Sequence, residues 1–170
     1  MNKELAELLF PNIKITVDEI EAKYPARDLK DGAYVTRFAP SPTGFLHVGG
    51  LYGSFLDSML AKQTGGVFYL RVEDTDSKRE KEGAFDAILD GLKAYGFVYD
   101  EGPDKGGAYG PYIQSERAEI YQVYAKKLVS EGKAYPCFMS EEEIADIRSS
   151  QELRKEKIGI YGSYAVDRDL

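Results

Sequence analysis

The stretch YVTRFAPSPTGFLHVGGLYGSFLDSM, residues 34–59, changes its periodicity twice, and the fold follows from where it does so. YVTRFA at 34–39 is β-branched and aromatic, which suits a strand; the PSPTG after it continues neither strand nor helix, because proline fixes φ and removes a backbone donor. From Val48 the apolar residues recur at Leu51, Tyr52, Phe55 and Met59, one face of a helix that Gly65 and Gly66 close. The unit is strand, loop, helix. Its loop holds His47, the only histidine of the chain, with Gly49 and Gly50 behind it.

Working outward, VFYLRVED at 67–74 reads as a second strand whose apolar run predicts burial on both faces, as in a parallel sheet. A helix over 83–95 follows, with Phe85, Ile88, Leu89, Leu92 and Tyr95 on one stripe. Strand, helix, strand, helix at these lengths implies a right-handed crossover and a parallel α/β layer. DEGPDKGGAYGPYI at 100–113 reads as a long surface loop. Ser115 is the expected N-cap of a third helix reaching about residue 130, with Ile120, Tyr124 and Leu128 aligned. AYPCFM at 134–139 reads as a short strand interrupted or placed on an edge by Pro136, and Ser140 to Glu143 as a capping box opening a charged helix to about residue 157. Ahead of the sheet, Leu5, Leu8 and Leu9 at helical spacing and a Thr16–Glu19 capping box predict two short helices, an appendix without chemistry of its own.

Composition excludes whole classes of function. With 43% hydrophobic and 30% charged residues over 170, the chain is globular, neither disordered nor fibrous. No apolar run approaches the roughly 20 residues of a membrane helix, and no basic segment followed by a long apolar one opens the chain, so neither membrane nor export is expected. Cys137 stands alone, which gives no internal disulfide and no thiolate-rich zinc site; the chain reads as cytoplasmic. The net charge of −7 argues against coating nucleic acid nonspecifically, while leaving room for a local basic face and one specific RNA. The tyrosines are spread through helices and strands and read as packing residues.

Common phosphate motifs fail: GGLYGS lacks the Gly-x-Gly-x-x-Gly spacing, and no Gly-Lys-Ser or Gly-Lys-Thr occurs. What remains is a strand end running through a glycine-flanked loop into a helix. The first N–H groups of a helix lack internal partners and the dipole is positive there, so phosphate is welcome. Glycines admit a bulky nucleotide, and an imidazole donates to a phosphoryl oxygen as charge builds. On His47 and its glycines alone, that reading and a glycine-rich turn with a solvent-facing histidine stand level. Glu73-Asp74-Thr75-Asp76 invites a divalent cation, but adjacent strand residues face opposite ways; capping of the following helix by Asp74 or Asp76 is expected, and no metal site. Arg117 is expected to cap or form a salt bridge.

The whole stretch RFAPSPTGFLHVGG, 37–50, resembles the signature of glutamyl-tRNA synthetases, class I enzymes whose His-x-Gly-His-type motif binds ATP. The resemblance continues through GGVFYLRVEDTD at 65–76, YGFVYDEGPD at 95–104 and GPYIQSERAEIYQVYAKKL at 110–128, in the family's order over about residues 34–135. It implies an α/β fold, the first half of a Rossmann-like parallel-sheet catalytic domain over 32–133. A helical extension at 1–31 precedes it, and the start of an acceptor-binding insertion occupies 134–170. It implies that Arg37, Ala39 and Ser41 line a glutamate pocket and that Glu73 meets the substrate amino group. Thr43, His47, Gly49 and Gly50 then form the ATP side, His47 being catalytic and Gly50 standing where some members have a second histidine. An arginine fork matches a carboxylate, a hydroxyl can hydrogen-bond an ammonium, and a carboxylate compensates its charge.

The implied partners are L-glutamate, ATP with Mg2+, and tRNA(Glu), for a protein expected to act as a monomer; a structural zinc is not expected, since only Cys137 stands where some members carry Cys-x-Cys. The implied reaction makes glutamyl-adenylate and then passes the glutamyl group to the tRNA. No Lys-Met-Ser-Lys-Ser-like loop occurs, so these residues alone are expected to show little aminoacylation. A glutamyl-queuosine tRNA(Asp) synthetase, a nucleotidylyltransferase and a noncatalytic glutamate- or tRNA-binding module are the alternative readings.

Overall fold

A computed structural model describes residues 2–44 and 46–168; Met1, Phe45, Asp169 and Leu170 lie outside the described residues, and with them the outer ends of the expected segments 1–31 and 134–170. Two compact units are present: residues 15–123, and residues 1–14 with 124–170.

In the 15–123 unit, helix α2 (Val17–Lys23) leads to strand β1 (Val35–Phe38), helix α3 (Val48–Thr64), strand β2 (Val67–Leu70) and helix α4 (Ala84–Ala94). β1 and β2 pair in parallel, Val35 opposite Val67 and Phe38 opposite Leu70, as the strand–helix–strand pattern predicts. Gly65 closes α3 in the left-handed region at φ 67, and Gly66 starts the return to the sheet. A Cβ on Gly66 would stand 1.8 Å from the Tyr34 carbonyl oxygen, so only glycine lets the chain pass there.

The core gathers Ala61 of α3, Phe68 and Leu70 of β2, Ile88 and Leu92 of α4, and Tyr99, with Phe38, Leu46, Leu89 and Phe97 around it. Burial in β2 alternates instead of covering both faces: Phe68 and Leu70 are buried, Val67 and Tyr69 only partly. The α3 stripe is also corrected. The side chains buried are Ser54 and Ala61, while Val48, Tyr52 and Phe55 stay 83%, 64% and 51% exposed. Small residues at 54 and 61 let the helix lie close on β1, where the Thr36 hydroxyl donates to the Asp57 carbonyl at 2.8 Å. In α4, Ile88 and Leu92 are buried as expected, and Tyr95 is 68% exposed.

The expected surface loop at 100–113 is not free of the sheet. Tyr69 bridges Glu101 and Val72 bridges Ile113, both in the parallel sense, so this segment runs along β2 on the side away from β1. It is pinned by a polar latch. Both terminal nitrogens of the Arg27 guanidinium, Nη1 and Nη2, donate to Glu101 at 2.6 Å, with side chains only 16% and 14% exposed. The same guanidinium lies 3.7 Å from the centre of the Tyr109 ring, and the Tyr112 hydroxyl donates to Glu101. The Arg27 hydrogen bonds hold the Glu101 carboxyl below its ordinary range against the opposing effect of burial. Burial and Glu101 push the Tyr112 hydroxyl up to about 12. Composition and periodicity gave no hint of this latch, because an arginine in a coil segment carries no pattern.

Ser115 is not an N-cap: it opens a 3-10 turn, Ser115–Arg117, that leads into α5 (Ala118–Ser130). The stripe expected in α5 is displaced, since Val123 and Val129 are buried whereas Tyr124 and Leu128 are 37% and 43% exposed. In the other unit, α1 (Asn2–Leu9) buries Ala6 and leaves Leu8 exposed. Lys126 ties α1 and the turn after it by donating to the Ile13 carbonyl and pairing with Glu7, both at 2.8 Å. Residues 134–139 form no strand, and Pro136 removes a backbone donor there. The capping boxes at Thr16 and Ser140 form as read, and α6 (Glu141–Arg154) ends before residue 157 at Lys155, φ 56. The buried Gln151 amide closes the turn after α6, donating to the Gly159 carbonyl at 2.8 Å and accepting its N–H at 2.9 Å.

Candidate active site

The parallel ladder outlasts the regular strands. Arg71 N–H donates to the Phe38 carbonyl at 3.0 Å and Glu73 N–H to the Pro40 carbonyl at 2.8 Å, so the carboxyl end of β2 is stitched to the loop after β1. On the other side Val72 N–H donates to the Tyr112 carbonyl at 3.0 Å, and the Val72 carbonyl accepts Gln114 N–H at 2.9 Å. Side chains alternate across a sheet, so with Phe68, Leu70 and Val72 buried, Arg37, Arg71 and Glu73 project from the opposite face. Arg37 Nη1 meets Glu73 Oε1 at 2.9 Å, and Arg71 Nη2 reaches the same oxygen at 3.2 Å. Beside them burial pushes the Asp57 carboxyl up, and the Arg37 charge offsets part of that rise.

The loop between β1 and α3 surrounds a cavity of about 390 Å³ whose wall includes Ala39, Ser41, Thr43, His47 and Gly50, with Phe38, Leu46 and Ile88 as apolar lining. Arg37, Glu73 and Gly49 are not on that wall. Lys81 N–H donates to the carbonyl of buried Pro42 at 3.0 Å and fixes the middle of the loop.

His47 is the N-cap of α3. Its Nδ1 accepts the Gly50 N–H at 3.2 Å, and its carbonyl accepts Leu51 N–H at 3.1 Å. A neutral imidazole that accepts at Nδ1 carries its hydrogen on Nε2, so the ring offers that N–H as a donor away from the helix. Gly49 serves this geometry: a Cβ there would lie 3.1 Å from Nδ1 and press on the ring. Histidine is not among the usual cap residues, which is why sequence reasoning placed His47 at a helix start without assigning it the cap.

The acidic run resolves differently from the expectation. Asp74 accepts the Ser115 N–H at 2.8 Å and also its hydroxyl, holding the start of the 3-10 turn; it does not cap the next helix. The N-cap of α4 is Gly83, φ 73, with no side-chain cap bond, and Asp76 is taken by Arg79 Nε at 2.7 Å. Arg117 forms no salt bridge among the described residues; its guanidinium donates to the carbonyls of Tyr109 and Pro111 at 3.2 and 2.8 Å. Among the described residues no group of three His, Cys, Asp or Glu side chains is placed to hold a metal ion. Sequence reasoning also passed over Arg71, although its place two residues before Glu73 puts both on one face.

A parallel strand–loop–helix layer, with charged groups at the carboxyl ends of the strands and a capped helix start beside them, defines an α/β half-domain of the open parallel-sheet kind. The chain belongs to the class I tRNA synthetase family for glutamate and glutamine: the family model described as tRNA synthetases class I (E and Q), catalytic domain, matches residues 33–163. It is 53% identical to a glutamate–tRNA ligase of Acetivibrio thermocellus and 50% identical to one of Clostridium perfringens strain 13, in each case over 99% of this chain and 32% of the relative. The chain thus spans about a third of the length of these curated relatives. Among solved structures it is similar to a glutamate tRNA ligase from Elizabethkingia meningosepticum in complex with its amino acid, with a TM-score of 0.69 and 42% identity. That similarity covers 79% of this chain and 26% of the other. No helix among the described residues is long and apolar enough to cross a membrane.

Proposed function

We propose that this chain carries the amino-acid and ATP side of the site of a glutamate–tRNA ligase, a cytoplasmic monomer acting on L-glutamate, ATP and tRNA(Glu), and that these residues alone charge little tRNA. Residues 32–133 are then half of the catalytic domain, behind an extension at 1–31, and 134–170 begin an insertion facing the tRNA acceptor end. The observation that carries the reading is the Arg37–Glu73 ion pair, 2.9 Å across the ends of two parallel strands, beside the Ala39–Ser41–His47 cavity. A guanidinium and a carboxylate so placed match the carboxylate and ammonium of an amino acid, and the Ser41 hydroxyl supplies a hydrogen bond.

In the first step a carboxylate oxygen of glutamate attacks the α-phosphorus of ATP; the new O–P bond forms as the bond to pyrophosphate breaks. His47 Nε2–H donates to a phosphoryl oxygen while charge builds there, and the Thr43 hydroxyl and the backbone at Gly49 and Gly50 line the nucleotide's path. In the second step a terminal ribose hydroxyl of the tRNA attacks the acyl carbon and AMP leaves. Nothing in the chain forms a covalent intermediate; the work is positioning. Mg2+ enters as the counter-ion of ATP, and no structural zinc is proposed for Cys137.

Saturation-transfer NMR of the chain with L-glutamate tests the reading. Binding is expected, weakened at least tenfold in Arg37→Met, which loses a charged hydrogen-bond donor to the ligand. Equal response to L-glutamate and L-leucine would overturn it.

A further inference from the structure

The chemistry proposed above gives Arg71 no task, yet the fold buries it at the site. Its side chain is 17% exposed against 35% for Arg37, and its Nε is buried with no hydrogen-bond partner among the described residues. Burying a guanidinium is costly unless its charge is compensated, and the compensation here is Glu73. Both arginines converge on one oxygen, Oε1, of one carboxylate.

The two arginines are held differently. Arg71 follows the central strand, with its N–H bonded to the Phe38 carbonyl and the next residue bonded on both its N–H and its carbonyl to the 112–114 segment. Arg37 lies in β1, paired on one side only among the described residues, and its side chain is the more exposed of the two. Of the two partners of Glu73, Arg71 is the more enclosed and Arg37 the more open to solvent.

We infer that Arg71 is a positioning residue: it is the standing partner of Glu73, and it allows Arg37 to leave Glu73 for the carboxylate of the incoming ligand. This rests on the amino-acid reading of the site given above. When Arg37 swings out, Glu73 stays charged, compensated and aimed, and its vacated lone pairs receive the ligand's ammonium. Without Arg71, Arg37 and Glu73 form a closed one-to-one pair, and any ligand that takes Arg37 strands a partly buried carboxylate unless it brings an ammonium in exchange. Arg71 therefore acts through Glu73 and not by touching the ligand.

The test uses L-glutamate and glutarate, which lacks the amino group, titrated into the chain and followed by 15N spectra of the arginine Nε–H groups. Arg71→Met is expected to weaken L-glutamate by about tenfold, the loss of one charged hydrogen bond to Glu73, and glutarate further still, because it brings no ammonium to the carboxylate it strands. Arg71→Lys restores part of both. In a Glu73→Gln background Arg71→Met has no further effect, because no carboxylate remains to hold; a role in packing alone would persist there. On adding L-glutamate the Arg37 Nε–H signal moves and that of Arg71 stays. An Arg71→Met effect of equal size in both backgrounds, or an Arg71 signal that moves while Arg37 stays, overturns this inference and leaves the amino-acid site standing. Failure of the unaltered chain to bind either ligand overturns both.

Discussion

Replacing Arg27 by methionine removes the latch at its centre. The change deletes two hydrogen bonds of 2.6 Å to Glu101 and the stack on Tyr109, and leaves a carboxylate that is 14% exposed with only the Tyr112 hydroxyl for a partner. Exposed ion pairs contribute about 0–1 kcal/mol, and stripping one partner from a buried pair costs about 3–5. The burial here is close to the second case, while the surviving Tyr112 bond and residual solvent soften it, so a loss of about 2–3 kcal/mol is expected. For a chain of this size that corresponds to a fall in Tm of roughly 4–12 °C. The loss has a pH signature. Arg27 lowers the folded-state pKa of Glu101, so the latch's contribution is complete above the unfolded carboxylate value and disappears as pH falls through the folded one. The gap between the parent chain and Arg27→Met is therefore full at pH 7 and closes in acid. Urea unfolding followed by circular dichroism at several pH values measures it, and hydrogen exchange at the Val72 and Gln114 amides locates it. A difference below about 0.5 kcal/mol at neutral pH, the scale of an ordinary surface substitution, would refute the reasoning, as would one unchanged by acid.

Two further outcomes are expected. Gly66→Ala drives a methyl group to 1.8 Å from the Tyr34 carbonyl, so the strand entry must move and a loss of about 3 kcal/mol or more follows; a Tm within 2 °C of the parent by circular dichroism, roughly 1 kcal/mol or less, contradicts this. His47→Asn keeps an acceptor for the Gly50 N–H and costs a few tenths of a kcal/mol or less, whereas His47→Ala loses the cap and costs about 1 kcal/mol. Both weaken ATP binding, and a parent-like ATP titration of His47→Asn would show that Nε2–H has no part in holding phosphate.

The elements with a period were legible and the contacts across them were not. Strand, loop and helix over 34–64 could be read because proline, glycine and a change of hydrophobic spacing coincide there. The same rule misjudged which face of α3 turns inward. Periodicity reports where apolar residues gather, but closeness to β1 selected the small side chains Ser54 and Ala61 and left Tyr52 and Phe55 exposed. Glycine and proline at 102–111 announced an irregular segment correctly, and concealed that such a segment can still lie along a strand when an arginine 74 residues away holds it. Pairing with Arg27 was beyond any local pattern, since neither residue sits in an amphipathic run.

The candidate site shows the same division between what spacing can tell and what only folding assembles. Arg37 and Glu73 are 36 residues apart in sequence, and the parallel register brings them to 2.9 Å because Phe38 and Pro40 accept hydrogen bonds from Arg71 and Glu73. That register also fixes what the site does when empty. A partly buried guanidinium and carboxylate would each bear a desolvation cost if they stood apart, and here each neutralises the other; on the proposed reading an amino acid has to separate them. His47 is held by the same economy of groups. The bond from Gly50 N–H that caps the helix also selects the ring's tautomer, so the group proposed to meet phosphate is oriented by the start of a helix whose dipole favours an anion. The fold thus completes the helix cap and aims the donor with a single hydrogen bond, and a Cβ on Gly49, 3.1 Å from Nδ1, would crowd that arrangement.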